Sequence, residues 1–433
     1  MIVIIGAGIS GLSLAYFLQK AGKEYILLES RPYSGGVIQT KKINNCYLEL
    51  GPNSILCDQY ILDFLSELGL EKEIILANDV NKSRYIYRNE DYRVLPDNPP
   101  ALLFNSFFSF QTKAAIAKEF FKKAEYIPNE SLSHFFERRF SKEIVDYAVK
   151  PFIAGIYSGN SDELLVSETF PLLQEYEQKF GSVLRGFMKN KPMRKKSLTF
   201  NKGMKMLPET LANHLKNIVY DAHVTSLKIE GDGYTIRYRS GQEENEVALI
   251  EVKTDKVVLA LPAQQAGKIL PDFALDKAIK NIKYVPVSIV HSVYDKEGVL
   301  HPLNGFGALH PEKEGLLTSG TIWNSSIFKD RCGGDKILLT SFIRKFIPDD
   351  EKESTLKKVH KELSLLLGLK LPPAYQHFLS WENAIPQYTL EYKEAKSEIR
   401  KAEERNLYVC ANWYNGVSIT DCIKKAAKMA EIL

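Results

Sequence analysis

The first thirty residues decide most of what this chain can fold into. Residues 2–11 read Ile-Val-Ile-Ile-Gly-Ala-Gly-Ile-Ser-Gly. Val3, Ile4 and Ile5 predict a short buried strand. Gly6 permits a sharp turn, Gly8 leaves room for a diphosphate against the backbone, and Gly11 lets a helix over 10–21 pack closely on the strand. Ile9 and Ser10 fall at the amino end of that helix, where free N–H groups and the positive dipole end favour phosphate. Tyr25 to Leu28 predicts a second strand. Glu29 closes it, eighteen residues after Gly11, where a carboxylate binds the adenosine ribose hydroxyls, with Ser30 beside it. Glycine-rich turns are common by themselves. Strand, helix, strand and acid in register read as a dinucleotide-binding unit.

The stretch after Glu29 is polar and glycine-rich. It carries Gly35-Gly36, then Thr40, then Glu49-Leu50-Gly51-Pro52-Asn53-Ser54. A crossover helix is not expected here; paired glycines suit a loop running close to a bulky ligand.

Further along, Asp58 to Leu68 has a helical period. Arg84 to Arg88 and Tyr92 to Leu95 predict a hairpin, ended by Pro96, Pro99 and Pro100. Residues 101–150 read as helices. Val219 to Tyr238 alternates as strands around a Gly231-Asp-Gly233 turn. Lys256 to Pro262 reads as a buried strand able to rejoin the first sheet. Pro286–Tyr294 and Lys336–Ile343 predict strands of a second sheet. Asp350–Leu367 predicts an amphipathic helix, Leu407–Cys410 a last strand, and Gly416 to Ala430 a final helix. The fold class expected is α/β with α+β insertions. A Rossmann-like domain is assembled from 1–82, 198–282 and 405–433, a sheet-based substrate domain from 83–100 and 283–404, and a helical domain from 101–197.

The net charge of +4 over 433 residues excludes a global nucleic-acid signature. Five scattered cysteines without a C-x-x-C predict neither a disulfide framework nor a zinc site, and fit a reducing, cytoplasmic compartment. A strand starting at residue 2 leaves no room for a signal peptide, and no run of eighteen apolar residues predicts a spanning helix. No Ser-His-Asp order, H-E-x-x-H or metal cluster is present, so any redox chemistry belongs to a cofactor.

The order of fingerprint, acid, Gly-Gly and Glu-x-Gly-Pro resembles the flavin amine oxidase and protoporphyrinogen oxidase superfamily. That resemblance implies FAD rather than NAD. It is sharpest for the protoporphyrinogen oxidases at Ser83-Arg-Tyr-Ile86, Val94-Leu-Pro96 and Val149-Lys-Pro-Phe152-Ile-Ala-Gly155-Ile-Tyr-Ser-Gly159. It continues through Thr199-Phe200, Gly203-Met204, Leu207-Pro208, Gly305-Phe-Gly307, Trp381, Ala384-Ile-Pro-Gln-Tyr388 and Trp413-x-x-Gly416-Val417. The pattern departs at Lys202, Ala411 and Arg344-Lys345, where the family carries glycines.

The resemblance implies that Gly6, Gly8, Ile9, Ser10, Gly11, Glu29, Ser30, Gly35, Gly36, Gly51, Pro52, Asn53, Ser54, Val224, Trp381, Asn412, Trp413, Gly416, Val417, Ser418 and Ile419 contact FAD. It also implies that Arg84, Phe152, Gly155 and Tyr388 contact a porphyrinogen, with Arg84 on a propionate. Arg84 read alone is a solvated strand-edge arginine, Gly155 a turn glycine, and Trp381 a core aromatic. No protein base or metal is required, because hydride equivalents pass to the flavin and pyrrole protons leave to solvent. The expected reaction is oxidation of protoporphyrinogen in three two-electron rounds, with molecular oxygen as acceptor. Coproporphyrinogen, an amine or carotenoid-precursor substrate, and a non-catalytic FAD-binding scaffold are the alternatives. The run 178–205 has nine Lys or Arg and no acid, and 101–127 mixes Leu102, Leu103, Phe104, Phe107, Phe108, Phe110, Phe120 and Phe121 with lysines. A solvated loop and a buried core explain these runs as readily as contact with a membrane surface. A homodimer is left open.

Overall fold

The computed structural model describes residues 1–96, 102, 104–190, 195–241, 248–270 and 274–433. Pro99, Pro100, Leu103, Lys191 and Arg194 of the readings above lie outside the described residues. Strand β1 (Ile2–Ile5) leads through the glycine turn into helix α1 (Ile9–Lys20), and β2 (Tyr25–Leu28) follows. The sheet is completed by β3 (Ile218–Val219), β4 (Lys256–Leu259) and β5 (Leu407–Val409), all parallel, in the order β3-β2-β1-β4-β5. Strands buried on both faces need apolar residues at every position, and β1 is buried throughout. Ile2, Ile4 and Leu27 pack with α1 and the last helix. Val3, Ile5 and Leu28 pack against the antiparallel strands 222–230 and 233–240 and the helix Leu390–Glu403, here α3.

The last helix, α4, is Ile419–Ile432. It therefore begins three residues later than the sequence suggested. Ser418 is its cap: the hydroxyl accepts from Asp421 N–H while the Asp421 carboxylate accepts from Ser418 N–H, a capping box that fixes the boundary. Gly416 and Val417 belong to the preceding loop.

The second sheet has seven strands in the spatial order 375–386, 284–295, 336–343, 320–322, 307–309, 84–88, 91–94. The edge strand Tyr375–Pro386 and helix α3 are elements that the periodicity did not single out. At 84–94 the hairpin forms as expected, with Asn89 and Glu90 both at positive φ. Arg84–Arg88 also pairs in parallel with Gly307–Leu309, so that Arg84 stands opposite Gly307.

Helices fill most of 110–189, among them α2 (Lys150–Tyr157). The phenylalanines divide. Phe107 and Phe108 are buried, whereas Phe104, Phe110 and Phe121 are 86 to 87% exposed. Among the described residues no helix is long and apolar enough to cross a membrane.

One expectation is corrected. Cys46 and Cys332 are joined by a disulfide, 286 residues apart in sequence. Linear spacing does not reveal it, because a backbone bond from Tyr47 N–H to the Arg331 carbonyl brings the two segments side by side.

Candidate active site

The site is built at the carboxyl ends of the parallel strands, where open α/β sheets bind ligands. Gly6 turns the chain at φ +106°, a backbone conformation that only glycine adopts without strain. Gly8 caps α1 with no side-chain hydrogen bond, so the first N–H groups of the helix keep their capacity for an external acceptor. A Cβ placed on Gly8 meets nothing within 4 Å, whereas one on Gly11 would stand 2.0 Å from the Gly6 carbonyl oxygen. Gly11 is thus a packing glycine, and Gly8 borders open space in front of a helix amino terminus. Gly36 roofs this space, its Cβ position 3.4 Å from Gly8 Cα, and Gly35 N–H donates to the Ala7 carbonyl. Such a cradle fits a diphosphate.

Glu29 is buried beside the turn. Its Oε2 accepts from Ala7 N–H at 2.7 Å, and its Oε1 accepts from Arg31 N–H and, at 3.3 Å, from the Ser30 hydroxyl. A carboxylate offers about four acceptor directions, so lone pairs are left for ribose hydroxyls. Strand 222–230 starts on the Glu29 carbonyl, which places Val224 two residues beyond it.

The 35–54 stretch is fixed from below by a pair that sequence reasoning missed. Glu49 is almost fully buried and forms an ion pair with buried Arg331. Its carboxylate also accepts from the Thr40 hydroxyl and from Met204 N–H. Burial pushes the Glu49 carboxyl above its ordinary range, against the pull of Arg331. Glu49 belonged to the Glu-x-Gly-Pro signal; Arg331 stood in no motif. Gly51 crosses the Val37 carbonyl so closely that a Cβ would lie 2.2 Å from it. Asn53 accepts from the Asn324 amide, and Ser54 from the Ser197 hydroxyl. The structure therefore runs Pro52, Asn53 and Ser54 along a seam shared with 197 and 324.

The loop after β5 reaches the same edge. Cys410 N–H donates to the Leu259 carbonyl, and its thiol lies on the Ser10 carbonyl of α1. Trp413 is buried and donates from Nε1 to the Leu261 carbonyl at 2.8 Å. Because α1 and α4 both follow parallel strands and pack together, their positive ends lie at the same edge of the sheet. Asn412, Gly416, Val417 and Ser418 lie in the loop that joins β5 to α4. Trp381 lies half-buried on the edge strand opposite Val287.

Arg84 and Ile86 share one face of their strand, and Ile86 clusters with Leu309 and with Ile153 and Tyr157 of α2. Gly155 allows this approach, its Cβ position 3.0 Å from Leu309 Cδ2. The strand that carries Arg84 is thus tied to α2 through Ile86 and Leu309. Arg84 is exposed, has no acidic partner among the described residues, and lies with its guanidinium 5.0 Å from the Phe306 ring centre. Desolvation by surrounding protein nonetheless lowers its pKa. Phe152 and Ile156 are each 42% exposed on one side of α2. Against the opposite side lies a charged cavity of about 530 Å³, lined among others by Asp146, Lys150, His310, Lys313 and Arg344. Tyr388 is only 2% exposed, and its hydroxyl accepts from Gly416 N–H.

The family model for flavin-containing amine oxidoreductases matches residues 9–433. A protoporphyrinogen oxidase 2 of Arabidopsis thaliana, chloroplastic and mitochondrial, is 30% identical over all of this chain and 93% of its own length. A coproporphyrinogen III oxidase of Bacillus subtilis is 26% identical, over 98% of this chain and 95% of that one. Among solved structures, a proposed protoporphyrinogen oxidase from Exiguobacterium sp. 255-15 superposes with a TM-score of 0.81 at 21% identity, covering 100% of this chain and 98% of the other. Reduced UDP-galactopyranose mutase superposes with a TM-score of 0.74 at 14% identity, covering 100% and 96%. These two likenesses concern the fold.

Proposed function

The chain belongs to the flavin-containing amine oxidoreductases and is an FAD-dependent oxidoreductase, and from that premise we propose that it oxidises protoporphyrinogen IX to protoporphyrin IX. The observation that carries the substrate class is Arg84, a guanidinium without an acidic partner among the described residues. It stands on the strand whose Ile86 packs against α2, a glycine-bearing helix that also exposes an apolar side. A guanidinium fork suits a propionate, and Phe152 and Ile156 suit the flat apolar body of a tetrapyrrole. The full-length relatives that bear porphyrinogen oxidase names support this reading.

Bound FAD supplies a two-electron acceptor, used three times for the six electrons and six hydrogens lost, with molecular oxygen as the final oxidant. The residues of the chain bind, orient and exclude water. Gly8 and the first turn of α1 receive the diphosphate, and Glu29 takes the ribose. Arg84 anchors a propionate so that a meso carbon faces the cofactor. The α2 side chains keep bulk water from the reacting carbon. Pyrrole protons pass to solvent, so no side chain has to act as base.

Purified protein is expected to be yellow, or to become so on adding FAD, and to bleach under anaerobic protoporphyrinogen. A colourless protein that gains no flavin overturns the proposal. Coproporphyrinogen III is the second reading, favoured by the B. subtilis relative. Turnover of the two substrates side by side decides between them. We also propose peripheral contact of Phe104, Phe110 and Phe121 with an anionic membrane surface. Serine at all three positions should abolish co-flotation with anionic vesicles; flotation unchanged by the substitutions overturns the contact.

A further inference from the structure

The loop between β5 and α4 is held by more side chains than a connection needs. Tyr388 stands two residues before α3 and Tyr392 in its first turn, and each is nearly inaccessible to solvent. Their rings lie 4.6 Å apart, and Tyr388 also meets Tyr157 of α2. The Tyr388 hydroxyl accepts from Gly416 N–H at 3.2 Å and donates to the Asn412 carbonyl at 3.5 Å. The Tyr392 hydroxyl accepts from Asn415 N–H at 3.0 Å and donates to the Asn415 side-chain oxygen. From the other side, Lys425 of α4 reaches back and donates to the carbonyls of Ala411 and Tyr414. The Asn412–Gly416 segment is thus gripped from α3 and α4 at once.

The grip has a consequence for direction. Gly416 sits at φ +118°, and a Cβ there would stand 2.5 Å from Asp421 Cβ. The Asp421 carboxylate and the Ser418 hydroxyl already engage the N–H groups of residues 418 and 421. Of the first turn of α4, the N–H groups of Ile419 and Thr420 have no acceptor among the described residues. Where they aim depends on the path of 412–416. Burial raises the pKa of both phenols, so both hydroxyls keep the proton with which they donate.

We propose that Tyr388 is a positioning residue: with Tyr392 and Lys425 it clamps the Asn412–Gly416 loop and thereby aims the amino terminus of α4 at the bound flavin. It does not touch the porphyrinogen. This inference rests on the FAD reading above and assigns Tyr388 a role different from the substrate contact that the family resemblance implied.

The test uses FAD-loaded protein and Tyr388→Phe, which removes one hydroxyl and keeps the ring. The expected result is a kcat about fivefold lower, a KM within about twofold of wild type, and a displaced flavin midpoint potential. Tyr392→Phe should act in the same sense. Lys425→Met should lower kcat and displace the potential, with Lys425→Arg restoring part of both; this pair serves if Tyr388→Phe folds poorly. A KM raised fivefold with kcat and potential unchanged would make Tyr388 a substrate contact and overturn the proposal. So would wild-type values in every readout. A wild-type protein that takes up no FAD overturns the cofactor reading itself, so the two failures are distinguishable.

Discussion

Gly8 and Gly11 stand three residues apart and respond to a methyl group for opposite reasons. Alanine at Gly11 drives its Cβ into the Gly6 carbonyl, backbone that cannot yield. Alanine at Gly8 meets no protein atom, and its φ of −71° suits any residue. Gly8→Ala is therefore expected to keep the wild-type melting temperature within about 2 °C while weakening FAD binding by about a hundredfold or more. Gly11→Ala should lower the melting temperature by about 5 °C or more. Calorimetry and flavin titration of both variants check this, and a cool-melting Gly8→Ala would mean that its space belongs to the fold. Arg84 separates binding from chemistry in the same manner. Arg84→Ala should raise KM for the porphyrinogen about tenfold and leave kcat within about twofold. An unchanged KM would remove it from the site. The two glycines stood out in a short-range motif, whereas Arg84 read alone was a solvated strand-edge residue and took its expected role only from the family resemblance. Arg331 was not readable at all, because the carboxylate that gives it a role lies 282 positions away.

At the scale of elements, legibility followed burial on defined faces. The strands of the parallel sheet are apolar on both faces and stood out. The edge strand Tyr375–Pro386 is only half-buried for most of its length and carries Glu382 and Asn383, so its alternation was weak. Helix α3 buries only Tyr392, Ala395 and Ile399 among lysines and glutamates, which reads as a solvated stretch until the sheet beneath is known. The start of α4 was misplaced because Gly416 resembles a helix entry, whereas the capping box lies at Ser418. Similar side-chain capping joins the helical part to the hairpin. Glu143 accepts from Ser109 N–H, from the Ser109 hydroxyl and from Arg88. Burial alone would raise its pKa; hydrogen bonds from Thr112, Ser109 and Arg88 outweigh this and bring it down to about 2. A folded pKa below the unfolded one gives stability that is complete above about 4.5 and is lost as pH falls toward 2. The shift corresponds to about 3 kcal/mol. The stability advantage of wild type over Glu143→Gln should accordingly shrink across that window. Urea unfolding at stepped pH checks it, and a constant difference would contradict the assignment.

The whole molecule interleaves its parts. One sheet draws its strands from residues 2–28, 218–259 and 407–409, and the second sheet pairs residue 84 with residue 307. The first of these was anticipated by reading Lys256–Pro262 as a buried strand able to rejoin the first sheet; the pairing of residue 84 with residue 307 was not, because nothing in either short segment names its partner. Such non-local assembly also seals polar groups into the interior, and histidines show the cost. His310 is buried at the wall of the charged cavity; Tyr92 lies 2.9 Å from its Nε2, and the Thr318 carbonyl and hydroxyl face its Nδ1. His291 pairs across strands with His377, meets Thr340 at Nδ1, and has no partner for Nε2 among the described residues. Burial pushes His310 down to about 4 and His291 down to about 3, the latter helped by His377. Both rings are neutral in the folded protein and titrate near 6.5 once unfolded. Below pH 6.5 the unfolded chain binds more protons, so stability falls with pH by about 1.4 kcal/mol per unit for each ring. The loss should begin near pH 6.5 and continue toward 4, so it sets in well above the range where ordinary carboxylates protonate. Replacing His291 by Asn should remove about half of the slope these two rings contribute, whatever it does to absolute stability. Urea unfolding between pH 7 and 5 measures that slope. A wild type whose stability is flat across the window would mean that the two rings are reached by solvent and that the strands around them are not closed.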